Sequence, residues 1–222
     1  MKKFISLEGI DGAGKSSHIP YIIDYLTNLG HQVVSTREPG GTPLGEVLRN
    51  ELLNRKMYSD TELLLMFAAR AELLATVIHP ALEEGKIVLS DRFHDSSYAF
   101  QGGGRRIPFQ HIADLDQWVG LARPDLTLYF DVPTDVAFKR VGARSDADKF
   151  ESEAEAFHAR VREEYLWLAE QDPERIKIID SSKTIEEVRE QIKVILDEAY
   201  VYKSLKLKNV TSLTAALAAC MS

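Results

Sequence analysis

Residues 4–19 read Phe4-Ile5-Ser6-Leu7-Glu8-Gly9-Ile10-Asp11-Gly12-Ala13-Gly14-Lys15-Ser16-Ser17-His18-Ile19, and this stretch decides how the chain folds. Lys3 to Glu8 is a short β-rich run. Gly9 to Ser16 fits the P-loop pattern GxxxxGK[ST], and the apolar positions Ile19, Ile22, Ile23 and Leu26 predict a helix that Gly30 ends. A strand that delivers a glycine-rich turn to a helix N-terminus is an anion cradle. The glycines let backbone N–H groups converge on phosphate oxygens, and the helix start adds about half a positive charge. Lys15 then reaches the β/γ-phosphates and the Ser16 hydroxyl is placed to ligate Mg2+.

Outward from this stretch, His31 to Thr36, Lys86 to Ser90, Asp125 to Val132 and Ile176 to Asp180 are predicted strands, the middle two buried on both faces. Helices are predicted from about Leu44 to Leu53, from Ser59 to Gly85, from about Pro108 to Leu121 with proline in first position, briefly after Pro133, and from about Phe150 to Gln171. Ser59-Asp60-Thr61-Glu62 and Thr184-Ile185-Glu186-Glu187 both match the capping box, the second opening a last helix, and Pro80 is expected to kink its helix near the end. Five short apolar strands alternating with helices predict an α/β fold, a five-stranded parallel sheet flanked by helices on both faces. A triple glycine, Gly102 to Gly104, lies between the third and fourth strands, and the aperiodic, charged Ala143 to Lys149 reads as a mobile loop. No linker divides the chain: one domain is expected over residues 1–200, followed by a motif-free tail, 201–222.

Composition narrows the function. The 222 residues, 45% hydrophobic and 27% charged, suit a single globular core. With 34 acidic against 27 basic residues the formal charge is -7, which disfavours nucleic acid and anionic membranes as partners. No apolar run is long enough to span a bilayer, and Glu8 and Asp11 interrupt the signal-like N-terminus. The single cysteine, Cys220, forms no internal disulfide and points to a reducing, cytoplasmic setting.

A second Mg2+ ligand is expected at the end of a neighbouring strand, where Asp91 and Asp131 compete. Asp91 is favoured because Arg92 follows it; Asp131 read otherwise is a structural carboxylate capping the helix after Pro133. Asp11 is out of place in an anion cradle and faces either a second substrate or solvent. Arg37, Arg92, Arg105, Arg106 and Arg144 fall at loops or strand ends, with Arg49 and Arg70 on helices. Two phosphates brought together repel by about 4 kcal/mol per charge pair at 4 Å and an effective dielectric of 20, so converging cations matter. His79, His94, His111 and His158 read as surface or packing residues, which favours a phosphate acceptor over a hydroxyl needing a base.

Residues 4–16, Thr36-Arg37-Glu38-Pro39-Gly40-Gly41-Thr42, and Asp91-Arg92-Phe93 with Ser96-Ser97-Tyr98-Ala99-Phe100-Gln101-Gly102 together resemble the bacterial thymidylate kinase family, in order and spacing, from about residue 3 to 200. The resemblance implies a P-loop NTPase-type kinase fold with a mobile lid at about 141–150, homodimerisation, and phosphoryl transfer from ATP to dTMP with Mg2+. It implies that Gly9, Gly12, Ala13, Gly14, Lys15, Ser16, Ser17 and Arg140 bind ATP, with Ser16 and Asp91 on the metal. By the same likeness Arg37, Glu38, Arg49 and Arg92 serve the acceptor, Asp11 meets its 3′-hydroxyl, Arg70, Ser97 and Gln101 read thymine, and Phe67 stacks on the base, with Met66 at the neighbouring position. Glu38-Pro39 is implied to be cis. The P-loop lacks an arginine, so the lid is implied to supply one, Arg144 before Arg140, worth ~10³ to 10⁵ in rate. Two alternatives remain beside this reading. A deoxynucleoside kinase needs a base such as Asp11 or Glu38, and a nucleotide-switch module needs an Asn-Lys-x-Asp guanine reader that the chain lacks.

Overall fold

In a computed structural model the described residues are 3–120, 122–142 and 149–202, with only the backbone described at 149–154 and 202. Residues 143–148 of the expected lid, Arg144 among them, and the tail from 203 onward lie outside them.

The predicted strands form β1 (Phe4–Glu8), β2 (Val33–Arg37), β3 (Ile87–Asp91), β4 (Leu126–Asp131) and β5 (Ile176–Asp180). All pair in parallel, in the order β2-β3-β1-β4-β5. Leu7 lies opposite Asp91, and Asp91 opposite Arg37, so Glu8, Arg37 and Asp91 leave the sheet along one carboxyl edge. The chain reverses direction of winding beside β1, and a crevice opens outside such an edge.

Alternation along β1 sends Ile5 and Leu7 to one face and Phe4, Ser6 and Glu8 to the other. Ile5 and Leu7 pack in one core cluster with Ile22 and Leu26 of α1 (Lys15–Asn28) and Ile192 and Leu196 of α9 (Ile185–Leu196). Phe4 and Val88 pack instead on Leu73, Leu74 and Ile78, which belong to the long helical run that begins with α3 (Ser59–Leu73). The remaining helices are α2 (Pro43–Asn54), α4 (His79–Glu83), α5 (His94–Ser97), α6 (Phe109–Trp118), α7 (Thr134–Val141) and α8 (Lys149–Gln171).

Two local readings change, at the starts of α3 and α6. Ser59 does not cap α3: Tyr58 holds the cap position without a side-chain bond, because Glu62, needed for the reciprocal half of the box, is taken by Gln101 Nε2 at 2.9 Å and Arg105 Nη2 at 3.0 Å. Before Pro80 the helical ladder changes: a π-helical turn, Leu74–Ile78, joins α3 to α4, and Pro80, with no N–H to donate, lies in the first turn of α4. The glycine triplet is helical: α5 continues as a π-helical stretch, Tyr98–Gly104. A Cβ on Gly102 would meet the Phe109 ring at 2.3 Å and one on Gly104 the Phe157 ring at 2.4 Å, so the glycines let α6 and α8 lie against this turn. Pro108 is the cap residue of α6 rather than its first.

Thr184, by contrast, makes both halves of its box: its Oγ1 accepts from the Glu187 N–H at 3.3 Å, and Glu187 Oε2 accepts from the Thr184 N–H at 2.9 Å. Thr184→Ala is therefore expected to cost about 1 kcal/mol in urea unfolding, whereas Ser59→Ala should cost no more than a few tenths.

Candidate active site

A cavity of about 590 Å3 opens over the P-loop. Gly12, at φ +79, lets α7 come close: a Cβ there would stand 2.4 Å from the Ala137 carbonyl oxygen. Arg140 of α7 donates Nη2 to the Ser181 carbonyl at 2.8 Å and Nη1 to that of Gly12 at 3.4 Å, and the Ser181 hydroxyl bonds the Ala13 carbonyl. The loop is thus tied to the turn after β5. Lys15 is 6% exposed and folds back so that Nζ donates to the Gly9 carbonyl at 2.9 Å and more weakly to that of Ile10 at 3.4 Å. Burial, then the nearby Arg92 charge, bring its pKa down to about 8 against the pull of Asp91, Asp11 and Glu8. The expected phosphate ligands Ser16 and Ser17 line this cavity, as do Ala13 and Gly14.

Asp91 lines it too, and its buried Oδ1 has no hydrogen-bond partner among the described residues. An unpartnered carboxylate oxygen beside a hydroxyl and a phosphate cradle suits a hard, oxygen-seeking cation such as Mg2+. Asp131 is spoken for: Arg162 grips both its oxygens, at 2.7 and 2.9 Å, and Tyr129 donates to Oδ1 at 3.0 Å. Nor does it cap α7, which has no side-chain cap.

Arg92 follows β3 at φ 70, a left-handed conformation that costs a non-glycine residue about 1–2 kcal/mol. Its backbone is held on both sides, N–H to the Leu7 carbonyl at 2.9 Å and carbonyl from Ser90 Oγ at 2.6 Å. The guanidinium lies 4.7 Å over the Phe100 ring and donates Nη2 to Asp11 Oδ1 at 2.7 Å. Burial alone would raise the Asp11 pKa, but Arg92 and Lys15 outweigh it and the pKa is lowered. The acid in the anion cradle stays ionised because Arg92 answers it.

A second cavity, about 270 Å3, adjoins the first, and Asp11, Glu38, Arg49 and Arg92 line both. Arg49 Nη1 donates to the Pro39 carbonyl at 2.8 Å, Arg37 Nη2 to Glu46 Oε2 at 2.8 Å, and Glu38-Pro39 is cis. Gln101 borders the second cavity with its Oε1 unpartnered among the described residues. Phe67, Arg70 and Ser97 do not line it. Arg70 is fully buried, donates Nη2 to Glu38 Oε2 at 2.7 Å and to Ser97 Oγ at 3.0 Å, and stacks 4.6 Å over Phe67. Burial raises the Glu38 pKa further than Arg70 lowers it. Helical spacing accounts for the change: Glu62 and Met66 share the cavity face of α3, while Leu63, Phe67 and Arg70 share the inner face. Met66 therefore lines the cavity where Phe67 does not, and on α5 Ser96 lines it while Ser97 bonds Arg70. Arg105 pairs with Glu62 at the cavity rim, and Arg106 borders a separate hollow with His158. His94 is a packing residue between the Phe93 and Tyr98 rings, its pKa pressed down to about 4 by burial.

Comparisons with known proteins bear on the family and the fold. The family model described as thymidylate kinase matches residues 7–192. The thymidylate kinase of Thiobacillus denitrificans is 54% identical over 198 residues, 88% of this chain and 97% of that one. That of Methylobacillus flagellatus is 51% identical over 197 residues, with the same shares covered. A crystal structure of thymidylate kinase from Ehrlichia chaffeensis superposes with a TM-score of 0.73 at 33% identity, covering 88% of this chain and 98% of that one.

The buried Lys15 charge works against folding. Its folded pKa is depressed from 10.5 to about 8, so the unfolded chain binds the proton more tightly and stability rises as pH climbs between those values. Lys15→Met should therefore raise stability at pH 7 by about 0.5–2 kcal/mol in urea unfolding, with the gap closing above pH 8, while turnover falls at least about a hundredfold.

Proposed function

The chain belongs to the thymidylate kinase family and phosphorylates dTMP with ATP, and we propose that transfer runs in line across the seam where Asp11, Glu38, Arg49 and Arg92 line both cavities. That shared lining is the observation that carries the reading. ATP lies along the P-loop, its phosphates on the backbone amides from Gly9 to Ser17 and on Lys15, with Arg140 and the turn at Ser181 beside the nucleoside. dTMP occupies the smaller cavity, its phosphate toward Arg37, Arg49 and Arg92, its sugar toward Asp11, and its base between Met66 and Gln101. Ser16 and Asp91 would hold Mg2+, which when bound would supply positive charge to offset that of the phosphates.

An acceptor phosphate is already a nucleophile, so no general base is needed and positioning with charge neutralisation suffices. This separates the reading from hydroxyl phosphorylation. Arg92 pairs with Asp11 and lowers its pKa, which weakens it as a base, and Arg70 bonds both oxygens of Glu38. Arg92 is placed to bridge the two phosphates, and Arg144, outside the described residues, supplies the finger, worth ~10³ to 10⁵ in rate.

The working form is a homodimer, for which Leu64 on α3 and Trp118 at the end of α6, exposed at 56% and 82%, offer apolar surface to cover. Among the described residues no helix is long and apolar enough to cross a membrane, and the proposed location is the cytoplasm.

A screen of nucleoside monophosphates with ATP and Mg2+, read as ADP release, should single out dTMP, and thymidine should release none. Arg92→Ala should lower kcat by about 10³ without loss of the folded state. Thymidine phosphorylated as fast as dTMP, or an Arg92→Ala enzyme of undiminished turnover, would overturn the mechanism.

A further inference from the structure

The last residue of β1 has no part in the chemistry above, yet it is a buried acid bonded from three directions. Glu8 is 0% exposed and its two oxygens reach three elements. Oε1 accepts from the Phe93 N–H at 2.8 Å. Oε2 accepts from Ser96 Oγ at 2.6 Å and from the Tyr165 hydroxyl at 2.8 Å, and those two hydroxyls lie 2.8 Å apart. Phe93 is the residue after Arg92, so the bond to Oε1 fixes the peptide that completes the left-handed turn. Ser96 in turn lies within 3.5 Å of Arg92 Nη1. Tyr165 belongs to α8, the helix that leads away from the expected lid, and its ring stacks on Tyr129 of β4 at 4.9 Å.

We propose that Glu8 is a positioning residue for phosphoryl transfer: it holds the turn that carries Arg92 and ties that turn to α8, so that the arginine stays aimed at the seam between the two cavities. The proposal rests on the role given to Arg92 above. A buried acid kept only for packing would be better replaced by an apolar side chain, since the face of β1 that carries it is covered by protein. Its charge also matters. The ionisable groups around it are Asp95 from α5, Arg92 from the turn, Tyr165 from α8, Lys15 from α1 and Arg70 from α3. Burial, then Asp95, push its pKa up to about 7 against Ser96, Arg92 and Tyr165. As pH rises through that value the carboxylate forms and its charge opposes those of Arg92 and Lys15.

Glu8→Gln tests this with little change of shape, since a carboxamide can accept from Phe93 and donate to hydroxyls that also accept. kcat should fall at least tenfold with the KM for ATP changed less than twofold. The acid limb of the kcat profile should move from about pH 7 down to about 6, where the acceptor phosphate itself titrates. Tyr165→Phe, which removes one bond and keeps the charge, should give a smaller loss in the same parameter. Glu8→Gln combined with Arg92→Ala should be no slower than Arg92→Ala alone, because the acid acts through the arginine. An inactive Arg92→Ala enzyme beside a Glu8→Gln enzyme with wild-type kcat and acid limb, or additive losses in the double variant, would overturn the role of Glu8 and leave that of Arg92 standing. Full activity in Arg92→Ala would overturn both.

Discussion

The contact between Arg92 Nη2 and Asp11 Oδ1, at 2.7 Å, is the one on which the rest of the site depends. Exposed ion pairs contribute little to stability, and the aspartate of this one is 71% exposed. Its worth is positional. It joins the P-loop to the turn after β3, and through that turn it sets a cation between the two cavities, each of which the proposed function assigns to an anion. The arginine adopts a strained backbone to get there, and the strain is tolerated because Leu7, Ser90 and Glu8 bind the peptide groups on either side of it.

An acidic protein that works on phosphates must concentrate its few cations. Lys15, Arg37, Arg49, Arg92 and Arg140 face one cavity although the chain as a whole carries a charge of -7. Their mutual repulsion is moderated by Asp11, Glu38 and Asp91 at the same edge of the sheet. A parallel sheet makes this possible, since every strand delivers its last residue to the same side. The depressed Lys15 pKa shows what the arrangement costs: a charge useful to phosphate is a burden to the folded chain without it.

The strands, the P-loop and the Thr184 cap were legible in the sequence because each is a local pattern: a period, a glycine spacing, a box of four residues. What was not legible depends on which way an element is rotated or which partner takes a side chain. The order Met66-Phe67 could not say which residue faces the cavity until the phase of α3 was known. Ser59 and Glu62 have the capping spacing, but Gln101 and Arg105, some forty residues away, claim the glutamate. Ser96 and Ser97 exchange places for the same rotational reason. Glu8 left a signal that was open to reading. In Phe4-Ile5-Ser6-Leu7-Glu8 the face that carries Phe4 also carries a hydroxyl and a carboxylate, an alternation that an idle buried strand would not need.

The central claim is that the two cavities meet end to end at Arg92 and Asp11. Calorimetric titration with a single molecule joining adenosine and thymidine through five phosphates tests it directly. Binding at least about a hundredfold tighter than ATP or dTMP alone, with most of that gain lost in Arg92→Ala, is the result this geometry predicts. Binding no tighter than ATP, or a gain indifferent to Arg92, would contradict it.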